Sequence, residues 1–245
     1  LQGHNNKPDR QTNCYSLSKQ QPKTSHDMNR IKSQKTVDRN EVVKFLADEL
    51  KIAFIRDYCP NGLQVEGQSR ISSIVSGVTA SLALIEAAIE SKADPILVHH
   101  GYFWRNENAC ITGPKQKRIK LLLSHDINLL AYHLPLDCHP VLGNNSQLAK
   151  VLGFTTTGRF GENDLGWLGM VTVPELVTVS DLAAWIGKKL GRPPLIIGKP
   201  EQKLDTIGWC SGAAQDLLPD AVQAGATVYL SGEISERTVH EAREY

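Results

Sequence analysis

The sequence is short of several things, and each shortage removes a class of protein. It has no C-x-x-C pair: Cys14, Cys59, Cys110, Cys138 and Cys210 are scattered and odd in number. That argues against a disulfide framework or a thiolate zinc site and suits free thiols in a reducing compartment. It has no surplus of one charge, the formal net being +1 at pH 7. A strongly basic nucleic-acid surface or a polybasic membrane anchor is therefore not expected. No apolar run approaches the roughly 18 residues that span a bilayer, and no signal-peptide core opens the chain; the expected location is the cytoplasm. No G-x-x-x-x-G-K-[ST], G-x-G-x-x-G or G-x-S-x-G motif occurs. What remains is ordinary: 245 residues, 41% hydrophobic and 22% charged, enough to bury one large or two modest cores.

Residues 1–37 stand apart. They are rich in Gln, Asn, Lys and Ser, and their seven Lys/Arg against two Asp give +5, leaving −4 for the rest. Such a segment cannot bury enough apolar surface to fold, so a disordered leader without function is expected. The chain opens on Leu1, and Met28 lies ten residues before the first helix signal; Met28 is a candidate start and the leader a candidate artefact. Residues 235–245 read as a helix that stops without a cap, so the chain is expected to be a fragment.

From Asp38 the pattern is that of an α/β protein. Asp38 and Glu41 form a capping-box pattern ahead of a helix whose apolar face carries Val42, Phe45, Leu46 and Leu50. Residues 58–62 are turn chemistry. Strands are expected at 71–78, 96–98, 127–132, 167–173, 195–197, 206–210 and 228–230. Helices are expected at 81–91, 115–124, from Asn145 as cap to 152, from a cap at Ser180 or Asp181, and at 215–223. Strands alternating with helices predict mainly parallel or mixed sheets flanked by helices. Strand–Ser-Gly–helix–strand occurs at Ser76-Gly77 and again at Ser211-Gly212, which duplication and chance explain equally well. Two α/β halves, 38–142 and 143–245, are expected.

Chemistry concentrates at two strand ends. His99 and His100 follow Ile96-Leu97-Val98, and in open α/β sheets ligands bind beyond the carboxyl ends of strands. Neighbouring side chains of a strand point to opposite faces, so both rings share one site only if the chain leaves strand geometry, which Gly101 permits. At the next strand end stand His133, Asp137 and His139. Imidazole with carboxylate suits Zn²⁺, Mn²⁺, Fe²⁺ or Ni²⁺, though a polar, metal-free pocket would use the same residues.

Three segments then resemble a known family. Pro60-Asn61-Gly62-Leu63-Gln64-Val65-Glu66-Gly67, Val98-His99-His100-Gly101-Tyr102-Phe103-Trp104, and His133-Leu134-Pro135-Leu136-Asp137 with Gly143-Asn144-Asn145 are similar to the GTP cyclohydrolase 1 type 2 homologue family. It is also known as interacting-factor-three-like or dinuclear-metal-centre. The resemblance covers 38–245. It implies two α/β halves, two divalent ions (Zn, Fe, Mn or Ni), ligands His99, His100 and Asp137 with Asp137 as a bridge, and a homohexamer. The family supplies a further His and, four residues on, a Glu near its C-terminus, and no such pair follows Glu233. His240 and Glu244 have the spacing but are read as a helix-surface pair. The Ser211-Gly212-Ala213-Ala214-Gln215 loop is also poorer in glycine than the family's.

Other residues leave two readings each. Tyr102, Phe103 and Trp104 either stack on a base or pack beside the sheet. Lys115, Lys117, Arg118 and Lys120 either meet phosphate or form a solvated face. Thr79 and Ser81 either hold an anion at a helix start or, for Ser81, cap the helix. The family name suggests a hydrolase that opens the purine ring of GTP, with a small nucleotide-like substrate. His133 or His139 are then the candidate proton shuttles, or His133 a support for Asp137. The alternative is a non-enzymatic metal carrier or interaction scaffold.

Overall fold

The computed structural model describes residues 35–245; the leader apart from residues 35–37, with Cys14 and Met28, lies outside the described residues. After a two-residue strand β1 (Val37–Asp38), helix α1 (Arg39–Glu49) starts where the Asp38 carboxylate accepts the Asn40 N–H. Asp38 is the cap as expected, but Glu41 makes no return bond to complete a capping box, and Phe45 is 65% exposed and lies off the face that packs through Val42 and Leu46. Strands β2 (Gly62–Val65), β3 (Arg70–Ile71) and β4 (Val75–Thr79) follow, then α2 (Leu82–Glu90), β5 (Pro95–His100), α3 (Gly113–Ser124) and β6 (Asn128–Ala131). The single strand expected at 71–78 is broken because Ser72 and Ser73 turn to bind Asp94. β2 was not foreseen.

The first sheet has the order β2-β6-β5-β4, parallel except for β2. β6 is buried at every position, as suits a strand covered on both faces. Helix α2 lays fully buried Ile85 and Ala88 on a core that includes Ile96, Val98, Leu129 and Ala131. Ser81 caps it by accepting the Leu84 N–H, so the capping reading of Ser81 holds.

The short helix α4 (Leu134–Cys138) and α5 (Asn144–Leu152) lead to β7 (Phe154–Phe160), β8 (Gly166–Val171), α6 (Val179–Leu190), β9 (Thr206–Cys210), α7 (Leu218–Gln223), β10 (Val228–Ser231) and α8 (Glu236–Glu244). The second sheet runs β10-β9-β8-β7, and only β9 and β10 are parallel. Of the two expected arrangements, mainly parallel or mixed, this half takes the mixed one. β8 runs antiparallel to both its neighbours, and β7 was unforeseen because Thr155, Thr156 and Thr157 supply β-branched propensity without apolar alternation. Residues 195–197 form no strand: Pro193, Pro194 and Gly198 bracket them, and Leu195 is 75% exposed. Helix α6 is capped at Thr178, with Asp181 completing a capping box. The core of this half centres on fully buried Trp209, packed on Phe154 and Trp167 at ring separations of 5.3 and 6.0 Å. Cys59, Cys110, Cys138 and Cys210 are free thiols. Among the described residues no helix is long and apolar enough to cross a membrane.

The repeated Ser-Gly pattern falls in two parallel strand–helix–strand units, β4-α2-β5 and β9-α7-β10. The phases differ, since Ser76-Gly77 lie inside β4 whereas Ser211-Gly212 follow β9.

Candidate metal centre

The carboxyl ends of β4, β5, β6, β9 and β10 supply the polar residues of one site. His99 and His100 close β5, and their ring centroids are 4.5 Å apart. Both belong to one cluster despite their opposite starting directions. Gly101 contributes through space and not through a left-handed φ: a Cβ there would overlap Gln64 Oε1 and the Ala131 methyl. Gln64 Oε1 also accepts the Tyr102 N–H at 2.7 Å, and Tyr102 is buried with its hydroxyl donating to the Ala80 carbonyl. Tyr102 is therefore packing. Trp104 instead stands edge-on to His133 and His100, at 4.9 and 5.9 Å between centroids.

His133 joins the pair, 4.9 Å from the His99 ring and 5.7 Å from the His100 ring. One ring nitrogen from each of the three lies within 4.8 Å of the others. Each ring is held by its Nδ1. His99 Nδ1–H donates to the Tyr132 carbonyl at 3.1 Å, and His133 Nδ1–H donates to Asp57 at 2.8 Å. His100 Nδ1 meets the Thr79 hydroxyl at 3.3 Å. Such bonds fix tautomer and ring direction and leave Nε2 as the free donor atom. Burial, reinforced by the His99 and His133 rings, holds His100 below the usual imidazole pKa, which keeps its lone pair available.

Asp57 is the residue the sequence reading missed. Its side chain is 3% exposed, and beyond His133 it accepts from Asn61 Nδ2 at 2.8 Å and from the Leu134 N–H at 2.9 Å. Burial alone would raise its pKa, but the hydrogen bonds from His133 and Asn61 outweigh that and hold it at about 2. Asn61 also accepts the His133 N–H at 2.8 Å, so the Pro60-Asn61-Gly62 segment positions His133 through backbone and side chain together. The only local signal of this was the turn chemistry after Asp57.

Asp137, in the first turn of α4, is buried with Oδ2 3.5 Å from His99 Nε2. It does not share the close group of the three imidazoles but stands beside it. Its Oδ1 accepts from Asn144 Nδ2 at 2.7 Å and from the Ser211 hydroxyl at 3.3 Å. Asn145 is not a cap, because Gly143 holds that position. It is fully buried and accepts the Ser211 N–H at 2.7 Å, while its carbonyl accepts from the Trp209 indole at 3.1 Å. The second half thus orients a carboxylate that faces the first half's histidines. Glu233, just past β10, lies close enough for its charge to act on His100.

His139 is not brought into the cluster. Its Nδ1 accepts the N–H groups of Val141 and Leu142 at 3.2 and 2.9 Å, and its Nε2 faces Glu49 at 3.5 Å. The candidate proton-shuttle role assigned to it is therefore withdrawn. His240 pairs with Glu236 at 2.9 Å on the exposed side of α8, in keeping with a helix-surface pair. Asp57, Cys59 and His133 make a second close group, but burial and the Asp57 charge push the Cys59 thiol up to about 12. The other two members already bond to each other. Three imidazoles with a flanking buried carboxylate make the fitting donor set for a borderline divalent ion.

Comparison with known proteins agrees with the motifs. The chain is 50% identical over 206 residues to a GTP cyclohydrolase 1 type 2 homolog of Neisseria meningitidis serogroup A, covering 84% of this chain and 82% of that one. It is 52% identical over 200 residues to a protein of the same name from Pseudomonas aeruginosa, covering 80% and 77%. Among solved structures it resembles protein ybgI, described as of unknown function, with TM-score 0.79, 44% identity and coverage of 85% and 83%. A protein from Thermus thermophilus follows at TM-score 0.67, 32% identity and the same coverage. A family model spans residues 37–245, and the chain belongs to the Duf34/NIF3 (NGG1p interacting factor 3) family.

Proposed function

We propose that this protein holds divalent metal ions through His99, His100, His133 and Asp137 and hydrolyses a small, nucleotide-like substrate there. The observation that carries the proposal is the three-imidazole cluster, whose rings are each anchored at Nδ1 and whose donor nitrogens converge. Three imidazoles gain little from facing one another, and a cation supplies the missing partner. When bound, such ions supply Lewis acidity and acidify water near neutral pH. The chain's own groups do the positioning. Asp57 keeps the His133 ring aimed. Asn144 and Ser211 hold one oxygen of Asp137 and leave Oδ2 toward His99. Trp104 closes one side of the cluster with an apolar edge. A nucleotide substrate is drawn from the relatives' name, GTP cyclohydrolase 1 type 2 homolog.

A non-enzymatic metal carrier is the second reading, and one observation favours it. Every Nδ1 in the cluster is engaged and His139 is turned away, so no imidazole is left free as a base. Incubation of metal-loaded protein with GTP and other nucleoside phosphates, followed by chromatography of products, separates the two. The enzyme reading expects turnover that disappears in both His100→Ala and Asp137→Asn. Readily exchangeable metal with no product from any nucleotide would leave the carrier.

A further inference from the structure

Behind His133, on the far side of Asp57, three segments distant in sequence are tied into a polar cleft of about 200 Å³ lined by Arg56, Asp57, Tyr58, Arg105 and Glu162. We propose that this cleft binds the phosphate group of a small phosphorylated ligand, an inference that rests on the neighbouring centre acting on nucleotide-like substrates. The volume lies below the roughly 300–1,000 Å³ of pockets that enclose a whole ligand, so it suits one charged group of a larger molecule.

The cleft is built, and is more than a place where two arginines happen to fall. The Arg105 N–H donates to the Tyr58 carbonyl at 2.7 Å, and its guanidinium donates to the Asp57 carbonyl at 3.3 Å. The same guanidinium stands 5.4 Å from the centre of the Tyr58 ring, a cation–π arrangement that restrains a long side chain. From the other half, Asn163 Nδ2 donates to the Arg56 carbonyl at 3.0 Å and brings Glu162 to the rim. Asn163 adopts a left-handed φ of 55° to do so.

The cleft sets two arginines beside the carboxylates of Asp57 and Glu162, and the pairing of each group points to the ligand class. The arginines that form ion pairs among the described residues are Arg39 and Arg237, and neither Arg56 nor Arg105 is among them. Arg56 and Arg105 both line the cleft, and guanidinium groups suit phosphate in sign and in hydrogen-bonding pattern. Asp57 does not compete, because both its oxygens already accept from His133, Asn61 and Leu134. Glu162 is the exposed carboxylate that remains, and it can accept from a hydroxyl or amino group of the same ligand. The cleft adjoins the centre through two links: Asp57 forms its wall and anchors His133, and Arg105 follows Trp104, which faces His133.

Calorimetric titration with inorganic pyrophosphate and with GMP tests the inference, using protein as purified and after removal of metal with EDTA. Both probes should bind in both states. The double variant Arg56→Gln/Arg105→Gln should weaken each by about ten-fold or more, with circular dichroism and metal content unchanged. Arg56→Gln alone, which alters an exposed residue, should give part of that loss and guards against a folding defect. Equal binding by the double variant, no binding by the parent, or binding that vanishes with EDTA would overturn the inference; the last would place the anion on the metal. If the parent takes up no metal but still binds pyrophosphate through the arginines, the centre's assignment fails and the cleft's stands.

Discussion

The two ends of β5 carry polar clusters of opposite kinds. At the amino end, Asp94 is buried and accepts from the Ser72 hydroxyl at 2.7 Å, from the Ser73 N–H at 2.8 Å, and from the Ser72 N–H and Gln68 amide. Every donor has an acceptor, and the cluster is complete. At the carboxyl end, His99, His100 and His133 face one another with like groups, each ring completed on one side and open on the other. A satisfied cluster is architecture, since nothing further is needed to stabilise it. A cluster of convergent ring nitrogens is open in the same chemical sense, and the proposed function fills it with a cation.

If that distinction is right, the two ends respond oppositely to mutation. Asp94→Ala leaves buried donors of the 72–73 turn without an acceptor and should cost about 3 kcal/mol in denaturant unfolding. Metal bound per folded chain should not change. The acid dependence follows the same cluster. Burial would raise the Asp94 pKa, but the hydrogen bonds from Ser72 and Ser73 outweigh it and lower the value. A carboxylate lowered on folding contributes stability above its unfolded pKa, and that contribution is lost as pH falls through the folded value. Unfolding curves from neutral pH to below the usual carboxylate range should show that loss in the parent and not in Asp94→Ala.

A smaller effect sharpens the boundary around the histidines. Asp57→Asn keeps the shape of the His133 anchor but removes its charge, and should weaken metal binding about 10- to 100-fold without abolishing it. Replacing His139, six residues beyond His133 but turned toward Glu49, should change affinity less than Asp57→Asn does. Competition with a chromophoric chelator measures both. An effect of His139→Ala as large as that of Asp57→Asn would show that proximity in sequence was the better guide.

The sequence disclosed the first sheet better than the second because apolar runs mark parallel strands buried on both faces, as at Ile96-Leu97-Val98 and Leu129-Leu130. β7 escaped because its threonines alternate nothing. At the site, the adjacent His99 and His100 and the His133 strand end were legible from their positions after apolar runs. The role of Asp57 was not, because it depends on a contact across 76 residues. The purpose of Asn145 was hidden for the same reason: its partners, Trp209 and Ser211, lie 64 and 66 residues away. His139 was misread because two backbone N–H groups within its own loop claim the nitrogen.

The most direct test of the contrast is elemental analysis of the parent, Asp94→Ala and His100→Ala after reloading with Zn²⁺ or Mn²⁺ and desalting, with circular dichroism as the folding control. The prediction is stoichiometric metal in the parent, the same in folded Asp94→Ala, and a clear fall in folded His100→Ala. A parent that retains no metal, or a His100→Ala protein that loads as fully as the parent, would contradict it.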